Sequence, residues 1–250
     1  MSAACPSGPW LAATLLVGML ACAGCATPSD DTRTVTVLAA ASLTDVMTEV
    51  EEQVEETEPD LDLQLSYAGS STIVQQVNEG ADADVVLLAG GSSLSALSPD
   101  LPAGDPVVFA SNTLTVVVPQ SNPAGVTGLD DLDAPGLRLV LCAEQVPCGA
   151  AAATMFERAG IAPSVVSYEP DVRATLAKVA SREADAGVVY VTDVDPTAGV
   201  TAIPVPDDLN VVNRYPAVAL GDAPAGPAFV RSLRSDEVQA LLTRAGFGAP

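Results

Sequence analysis

Segments typical of buried strands alternate with segments typical of amphipathic helices along most of the chain. The first strand-like run, residues 35–39, precedes apolar side chains at helical spacing, namely Leu43, Val46, Met47, Val50 and Val54. Further strands are predicted at residues 61–67, 84–88, 114–118, 137–141, 165–168 and 187–191, and further helices at residues 71–79 and 150–159, from Asp171 onward, and at 227–243. This alternation predicts an α/β fold with largely parallel sheets flanked by helices.

Two strand-like stretches, residues 111–113 and 211–215, are predicted to cross between two halves of the molecule. We therefore expect a first lobe from residues 34–111 together with 214–250, and a second lobe from residues 112–213. Two links of this kind allow the lobes to close over a ligand by a hinge motion.

The N-terminal segment has the features of an export signal. Residues 10–23 are apolar or small and uncharged, and the run is shorter than a comfortable membrane span. The residues ACAGC at positions 21–25 resemble a bacterial lipobox in which Cys25 is lipidated. We predict a lipoprotein signal peptide at residues 1–24, a polar tether at residues 25–33, and an extracytoplasmic protein anchored to the cell membrane. Ordinary cleavage and a retained anchor are the alternatives.

Composition excludes several classes of function. The chain has 10 basic and 32 acidic residues and a net charge of −22, whereas nucleic-acid binding needs clustered Lys and Arg. It contains no histidine, so it has no Ser-His-Asp triad. Its only lysine, Lys178, has Thr175 three residues before it, so the Ser-x-x-Lys arrangement is absent too. We therefore predict no catalytic residues and no enzymatic activity.

Two cysteines, Cys142 and Cys148, fall in the predicted second lobe, whereas the other three belong to the export segment. Export makes a disulfide between Cys142 and Cys148 permissible, and their close spacing would close a small loop. A zinc site and two free buried thiols are the alternatives, although two thiolates without histidine are few ligands for zinc.

Small or hydroxyl side chains stand at four places where a predicted strand gives way to a helix. They are Ser42, the run Ser70-Ser71-Thr72, the pair Cys148-Gly149 and the pair Asp171-Val172. A helix start presents unpaired N–H groups and the positive end of the helix dipole, so several starts meeting in a cleft can bind an anion without a charged side chain. The alternative is plain capping, in which Ser42 and Asp45 form a capping box and Ser71 caps its own helix.

Six short motifs follow one another along the chain. They are VLAAASLT at residues 37–44, YAGSST at 67–72 with QQV at 75–77, GADADV at 80–85, VPCG at 146–149, DVR at 171–173 and GVVY at 187–190. In this order they resemble the molybdate-binding proteins of ATP-binding-cassette importers, from about residue 34 to residue 247. The resemblance implies the two-lobe type II fold of periplasmic binding proteins, with the ligand in the cleft between the lobes.

The resemblance also implies a site of neutral hydrogen-bond donors for a tetrahedral oxyanion. The implied donors are hydroxyl and N–H groups of Ser42 and Ser70, backbone N–H groups of Cys148 and Val172, and the phenolic O–H of Tyr190. Molybdenum would be bound only as its oxyanion, with no direct protein–metal bond and no cofactor. Relatives commonly have alanine at the Cys148 position, and an Ala-Asp pair where this chain has Ala89-Gly90.

The implied function is capture of molybdate or tungstate outside the cytoplasmic membrane, by a monomeric binding protein that delivers it to a membrane permease. A site without a carboxylate would disfavour protonated phosphate. Arg173 is expected to form a surface ion pair with its neighbours Glu169 and Asp171 instead of binding the anion. The alternative function is that of an exported sensor or adhesion lipoprotein that reuses the same fold.

Overall fold

The computed structural model describes residues 32–195, 197 and 199–250. Residues from Thr32 to Pro250 form one compact unit. The predicted signal peptide, the predicted lipidation site Cys25 and most of the predicted tether lie outside the described residues. Within the part of the chain that is described, no helix combines the length and the apolar character needed to cross a membrane.

Two five-stranded sheets form the framework. The first contains β1 (Arg33–Ala40), β2 (Leu61–Ala68), β3 (Val85–Leu87), β4 (Val107–Asn112) and β10 (Asn213–Ala219), in the order β2-β1-β3-β10-β4. The second contains β5 (Leu114–Pro119), β6 (Leu139–Cys142), β7 (Val165–Glu169), β8 (Ala186–Tyr190) and β9 (Val200–Pro204), in the order β7-β6-β8-β5-β9. One strand in each sheet, β10 or β5, runs antiparallel to its neighbours, and the remaining strands share one direction. The predicted α/β fold with two mostly parallel sheets is confirmed.

Helices cover both faces of the first sheet. Helices α1 (Thr44–Thr57), α6 (Ala225–Ser232) and α7 (Asp236–Arg244) share one buried cluster with the sheet, whereas α2 (Ser70–Asn78) belongs to another, against which α3 (Gly91–Ser95) packs. Successive residues of β3 separate the two clusters, because Val85 and Leu87 belong to the first and Val86 belongs to the second. This strand is apolar on both faces, as expected for the centre of a covered sheet.

The second sheet shares a single buried cluster with α4 (Pro147–Ala159) and α5 (Val172–Ala180). Strand residues such as Val140 and Val188 meet Met155 of α4 and Val179 of α5 in this cluster. The sheets thus have separate cores, the first drawn from strands before Thr113 and from β10, and the second from strands between them. The lobe boundaries at residues 111/112 and 213/214 stay a prediction.

Three predicted elements differ from the structure. The predicted loop at residues 90–93 contains the start of α3. Helix α4 begins at Pro147 rather than at residue 150, because proline is tolerated at the first helical position, where its missing N–H costs nothing. The single helix predicted for residues 227–243 is two helices, since the Ser235 hydroxyl accepts a hydrogen bond from the N–H of Val238 and starts α7 anew.

The topology brings five strand ends to one cleft. Strands β1 and β2 end just before Ser42 and Ser70, and β8 ends at Tyr190 itself. The loops after β6 and β7 lead to Cys148 and Val172 at the starts of α4 and α5. In α/β proteins, ligands bind beyond the carboxyl ends of parallel strands, so this cleft is the place where the fold favours a ligand.

Candidate anion-binding site

A cavity lies between the two sheets, and its empty volume, including the space at its mouth that is open to solvent, is about 240 Å³. The space that a water-sized sphere can occupy inside it is about 20 Å³. This is far below the roughly 300–1,000 Å³ typical of pockets for drug-sized ligands, so only a small ligand fits. All five residues predicted as oxyanion donors line it: Ser42, Ser70, Cys148, Val172 and Tyr190. Residues that the sequence reasoning did not predict as ligands also line it, among them Ala89, Pro147 and Asp171.

Ser42 lies in a short 3₁₀ turn, Ala41–Leu43, between β1 and α1, and is only 7% exposed. Its Oγ is 2.9 Å from the hydroxyl oxygen of Tyr215, which lies 173 residues away in sequence. The predicted capping box of Ser42 and Asp45 is wrong, because the N-cap position of α1 is Leu43 and no side chain caps that helix. Ser42 therefore keeps a buried hydroxyl at the cavity wall.

Ser70 is the first residue of α2 and is 2% exposed. Its Oγ accepts a hydrogen bond of 2.9 Å from the backbone N–H of Ala89. Because the oxygen is engaged as an acceptor, the hydroxyl hydrogen remains for a ligand in the cavity.

Ser71 contacts the opposite side of the cleft. Its Oγ donates a hydrogen bond of 2.6 Å to the carbonyl of Gln145, in the loop between β6 and α4. The prediction that Ser71 caps its own helix is wrong, because no side chain caps α2.

The two helices that pack on the second sheet, α4 and α5, both begin at the cavity. Pro147 is the first residue of α4 and has no N–H, so Cys148 carries the first backbone donor of that helix. Asp171 caps α5 by accepting a 2.9 Å hydrogen bond from the N–H of Ala174, and Val172 is the first helical residue. First-turn N–H groups have no intrahelical acceptor and stand at the positive end of the helix dipole, so both positions favour an anion.

Tyr190 supplies a hydroxyl whose orientation is determined by a neighbour. The side-chain amide of Asn213 donates to the Tyr190 hydroxyl oxygen, which leaves the phenolic hydrogen to donate elsewhere. Burial raises the pKa of Tyr190 well above 10, and the nearby Tyr215 adds to that rise. The phenol is therefore a neutral O–H donor over the whole physiological pH range.

Tyr215 and Asn112 form a second layer behind Ser42 that sequence reasoning missed. The Asn112 amide donates to Thr192 Oγ1 at 2.7 Å and to the Tyr215 hydroxyl at 3.4 Å. With its oxygen accepting from Asn112, Tyr215 can donate to Ser42, which leaves the Ser42 hydrogen free for the cavity. No local motif marks these residues, although Tyr215 closes the second predicted crossing segment, residues 211–215.

Arg173, which follows the cavity-lining residue Val172, is paired across the cleft. Arg173 forms an ion pair with Asp45 at the start of α1, so the prediction that it pairs with Glu169 and Asp171 is wrong. Glu169 instead pairs with Lys178 at 3.2 Å. The expected partners were acidic neighbours in sequence, but the fold places Asp45 of helix α1 against Arg173.

A carboxylate does line the cavity, contrary to the expectation of a carboxylate-free site. It belongs to Asp171, whose Oδ1 is engaged by the Ala174 N–H. The absence of a carboxylate therefore cannot serve as the reason why protonated phosphate is disfavoured.

Asp193 is a buried carboxyl group directly behind Tyr190. It is 1% exposed, its Oδ2 accepts a 2.9 Å hydrogen bond from the Tyr190 N–H, and its Oδ1 has no hydrogen-bond partner among the described residues. Burial raises its pKa to about 7; Arg173 opposes the rise, whereas Asp45 and Asp171 add to it.

A disulfide joins Cys142 and Cys148, with 5.8 Å between their Cα atoms. Cys142 ends β6 and Cys148 is the second residue of α4, so the bridge spans the loop that leads into the cavity.

A family model of bacterial extracellular solute-binding proteins matches residues 35–248. The chain therefore belongs to this family of solute-binding proteins. Among its relatives, the molybdate-binding protein ModA of Mycobacterium tuberculosis is 34% identical over a 252-residue alignment that covers 96% of each chain. The resemblance to molybdate-binding proteins that the six sequence motifs carry is thereby confirmed. These relatives are substrate-binding proteins, a class that binds ligands and is not enzymatic.

Two solved structures show the same fold. The periplasmic molybdate-binding protein of Azotobacter vinelandii matches with a TM-score of 0.72 and 18% identity, covering 86% of this chain and 99% of that one. The sulfate-binding protein SubI of Mycobacterium tuberculosis matches with a TM-score of 0.74 and 17% identity, covering 86% of each chain. Because proteins with this fold are named for different oxyanions, the ligand has to be argued from the site.

Proposed function

We propose that this protein captures molybdate, and tungstate with it, outside the cytoplasmic membrane and delivers the anion to a membrane permease of an ATP-binding-cassette importer. The observation that carries the proposal is the meeting of five neutral donor positions in one small cavity. A tetrahedral dianion has only acceptor oxygens, which match hydroxyl and N–H donors and need no cation.

The hydrogen bonds behind the cavity support an anion over a cation. Ser70 and Tyr190 each use the hydroxyl oxygen to accept a hydrogen bond from the protein, so each presents a hydrogen to the cavity. A cation would need those oxygens as ligands instead. Two helix starts add partial positive charge to the same space.

Selection against sulfate is proposed to depend on cavity size, because sulfate, molybdate and tungstate present similar oxygens. The rigid positions of the donors on strand ends and helix starts then determine which anion contacts all of them at once.

Attachment to the membrane is part of the same proposal. The lipobox-like residues before Cys25 and the extracellular character of the family support a lipid anchor and a site of action outside the cytoplasm. Incorporation of labelled palmitate into the protein, compared between the wild type and a Cys25→Ala variant, tests the anchor. Equal labelling of both proteins would contradict it.

Isothermal titration calorimetry on the purified exported protein tests the ligand. Molybdate, tungstate, sulfate and phosphate are titrated into the wild type, into Ser42→Ala/Ser70→Ala, and into the matched control Ser66→Ala/Ser164→Ala. The control serines are exposed and lie outside the cavity lining. A hydrogen bond to a charged group contributes about 1.5–3 kcal/mol, so each lost hydroxyl should weaken binding roughly 10- to 100-fold.

The expected result is one-to-one binding of molybdate and tungstate, weakened in the site variant and unchanged in the control. Binding of phosphate or sulfate with equal affinity would overturn the assignment to molybdate. Absence of heat and of thermal stabilisation with every oxyanion would leave the sensor or adhesion lipoprotein as the better explanation.

A further inference from the structure

The Cys142–Cys148 disulfide closes a short loop that forms part of the cavity wall. The two cysteines are 6 positions apart and are 2% and 5% exposed. Between them, Val146 and Pro147 line the cavity together with Cys148. The disulfide therefore connects the end of β6, an inner strand of the second sheet, directly to a helix start that faces the proposed ligand.

The backbone of this loop touches both halves of the cleft. The Ala143 N–H donates to the Glu169 carbonyl at 2.9 Å, which joins the loop to the end of β7. The Gln145 carbonyl accepts the 2.6 Å hydrogen bond from Ser71 in α2, a helix that packs on the first sheet. The position of the loop thus affects how the two sides of the cleft meet.

Close packing restricts the loop where it meets the start of α4. A Cβ atom at Gly149 would lie 2.0 Å from the Ala143 carbonyl oxygen, so only glycine fits where α4 crosses the loop backbone. The path from Cys142 to Cys148 is therefore restricted at its far end by packing as well as by the covalent bond.

The disulfide also contacts the second helix start of the site. Cys142 Sγ lies 3.5 Å from Oγ1 of Thr175, a fully buried residue of α5. The same Thr175 hydroxyl donates to the Asp171 carbonyl at 3.1 Å, one residue before Val172. The disulfide thus includes Cys148, one backbone donor, and contacts Thr175, which is hydrogen-bonded next to Val172, the other backbone donor.

We propose that the Cys142–Cys148 disulfide is a positioning element of the oxyanion site, which keeps the Cys148 and Val172 N–H groups in their binding geometry before the ligand arrives. This inference rests on the proposed function. A cross-linked loop has fewer conformations to lose when the anion binds, so binding loses less conformational entropy. Ordering one backbone residue costs about 1–2 kcal/mol of free energy, which corresponds to a roughly 5- to 30-fold change in affinity.

The test compares molybdate affinity in the wild type and in Cys142→Ala/Cys148→Ala, which keeps every backbone N–H group. Removing a disulfide also lowers stability, so a matched control is Val238→Ala, which loses buried methyl groups in α7 on the other sheet. Circular dichroism and thermal melts establish that each protein is folded at the titration temperature. If the alanine pair does not fold, Cys142→Val/Cys148→Ala replaces it, since valine refills the buried volume.

The expected result is a dissociation constant that is 5- to 30-fold larger for the disulfide-free protein. For Val238→Ala it should be unchanged, despite the lower melting temperature of that variant. A second readout is a double-mutant cycle with Ser71→Ala. Because Ser71 and the disulfide hold the same loop, their effects on affinity should be non-additive.

Two other outcomes would overturn the inference, and they differ from each other. Wild-type affinity within two-fold in the folded disulfide-free variant, with additive effects in the cycle, would reduce the disulfide to a stabilising bond and leave the proposed function intact. A wild type that binds no molybdate would remove the proposed function and this inference with it.

Discussion

Asp193 should make the protein less stable as the pH rises from acid to neutral. The carboxyl is 1% exposed and has one oxygen without a partner among the described residues, so its ionised form is poorly solvated in the folded state. Burial raises its pKa from 3.8 to about 7. The substitution Asp193→Asn keeps an acceptor for the Tyr190 N–H and removes the titration.

The size of the effect follows from the two pKa values. Between pH 3.8 and about 7 the folded protein holds a proton that the unfolded chain has released, so the free energy of unfolding falls with pH. The limiting slope is about 1.4 kcal/mol per pH unit. From pH 5 to pH 7 the wild type should therefore lose about 2 kcal/mol relative to Asp193→Asn, and above about pH 8 the difference should level off.

Urea unfolding of the ligand-free proteins at pH 5, 6, 7 and 8 measures this difference, because the other titrating groups are common to both. Asp185→Asn is a control of opposite sign, since the hydrogen bond from Arg138 lowers the pKa of Asp185. Its wild-type stabilisation is present at neutral pH and is lost on acidification. Parallel stability curves for the wild type and Asp193→Asn would refute a titrating buried carboxyl at this position.

Two further predictions concern residues behind and beside the cavity. Tyr215→Phe keeps the ring that packs edge-on against Phe109 and Phe247 but removes the hydroxyl beside Ser42. Molybdate affinity measured by calorimetry should therefore fall roughly 2- to 10-fold. An unchanged affinity would contradict the role given to the Tyr215 hydroxyl. The Asp45–Arg173 pair, with side chains 65% and 28% exposed, should couple by no more than about five-fold in a double-mutant cycle on the molybdate dissociation rate. That coupling should shrink as salt is added, and a coupling that salt does not change would argue against an exposed ion pair.

The local part of the fold was predictable from the sequence. Hydrophobic period and turn residues are properties of neighbouring positions, so β1, α1 and β2 were located to within a few residues. The break before α7 was missed because apolar spacing continues across it, and only the Ser235 cap divides the helices. Strand β10 was anticipated only as a crossing segment, since its pairing with β3 and β4 joins positions far apart in sequence.

The same distinction explains what was predictable about the candidate site. Its five predicted residues stand next to strand ends, where a motif of a few letters records them. The residues behind them are not marked by such a motif, because Tyr215 contacts Ser42 only in the folded chain. The wrong partner for Arg173 has the same origin, because its acidic neighbours are visible in the sequence, whereas its contact with Asp45 of α1 arises only in the fold.

A net charge of −22 is unexpected for the dianion receptor proposed above, and the candidate site gives a physical reason why the two are compatible. Long-range repulsion between surface charges and the ligand is screened within about 8 Å at physiological ionic strength. Inside the cavity, the proposed ligand would meet hydroxyl and N–H dipoles on strand ends and helix starts, and Arg173 is already paired with Asp45. A free arginine would attract every small anion with little regard for size. Neutral donors on strand ends and helix starts attract an anion less strongly than a charged side chain does. They instead favour an anion whose oxygens reach all of them together, so such a site selects by the size of the anion.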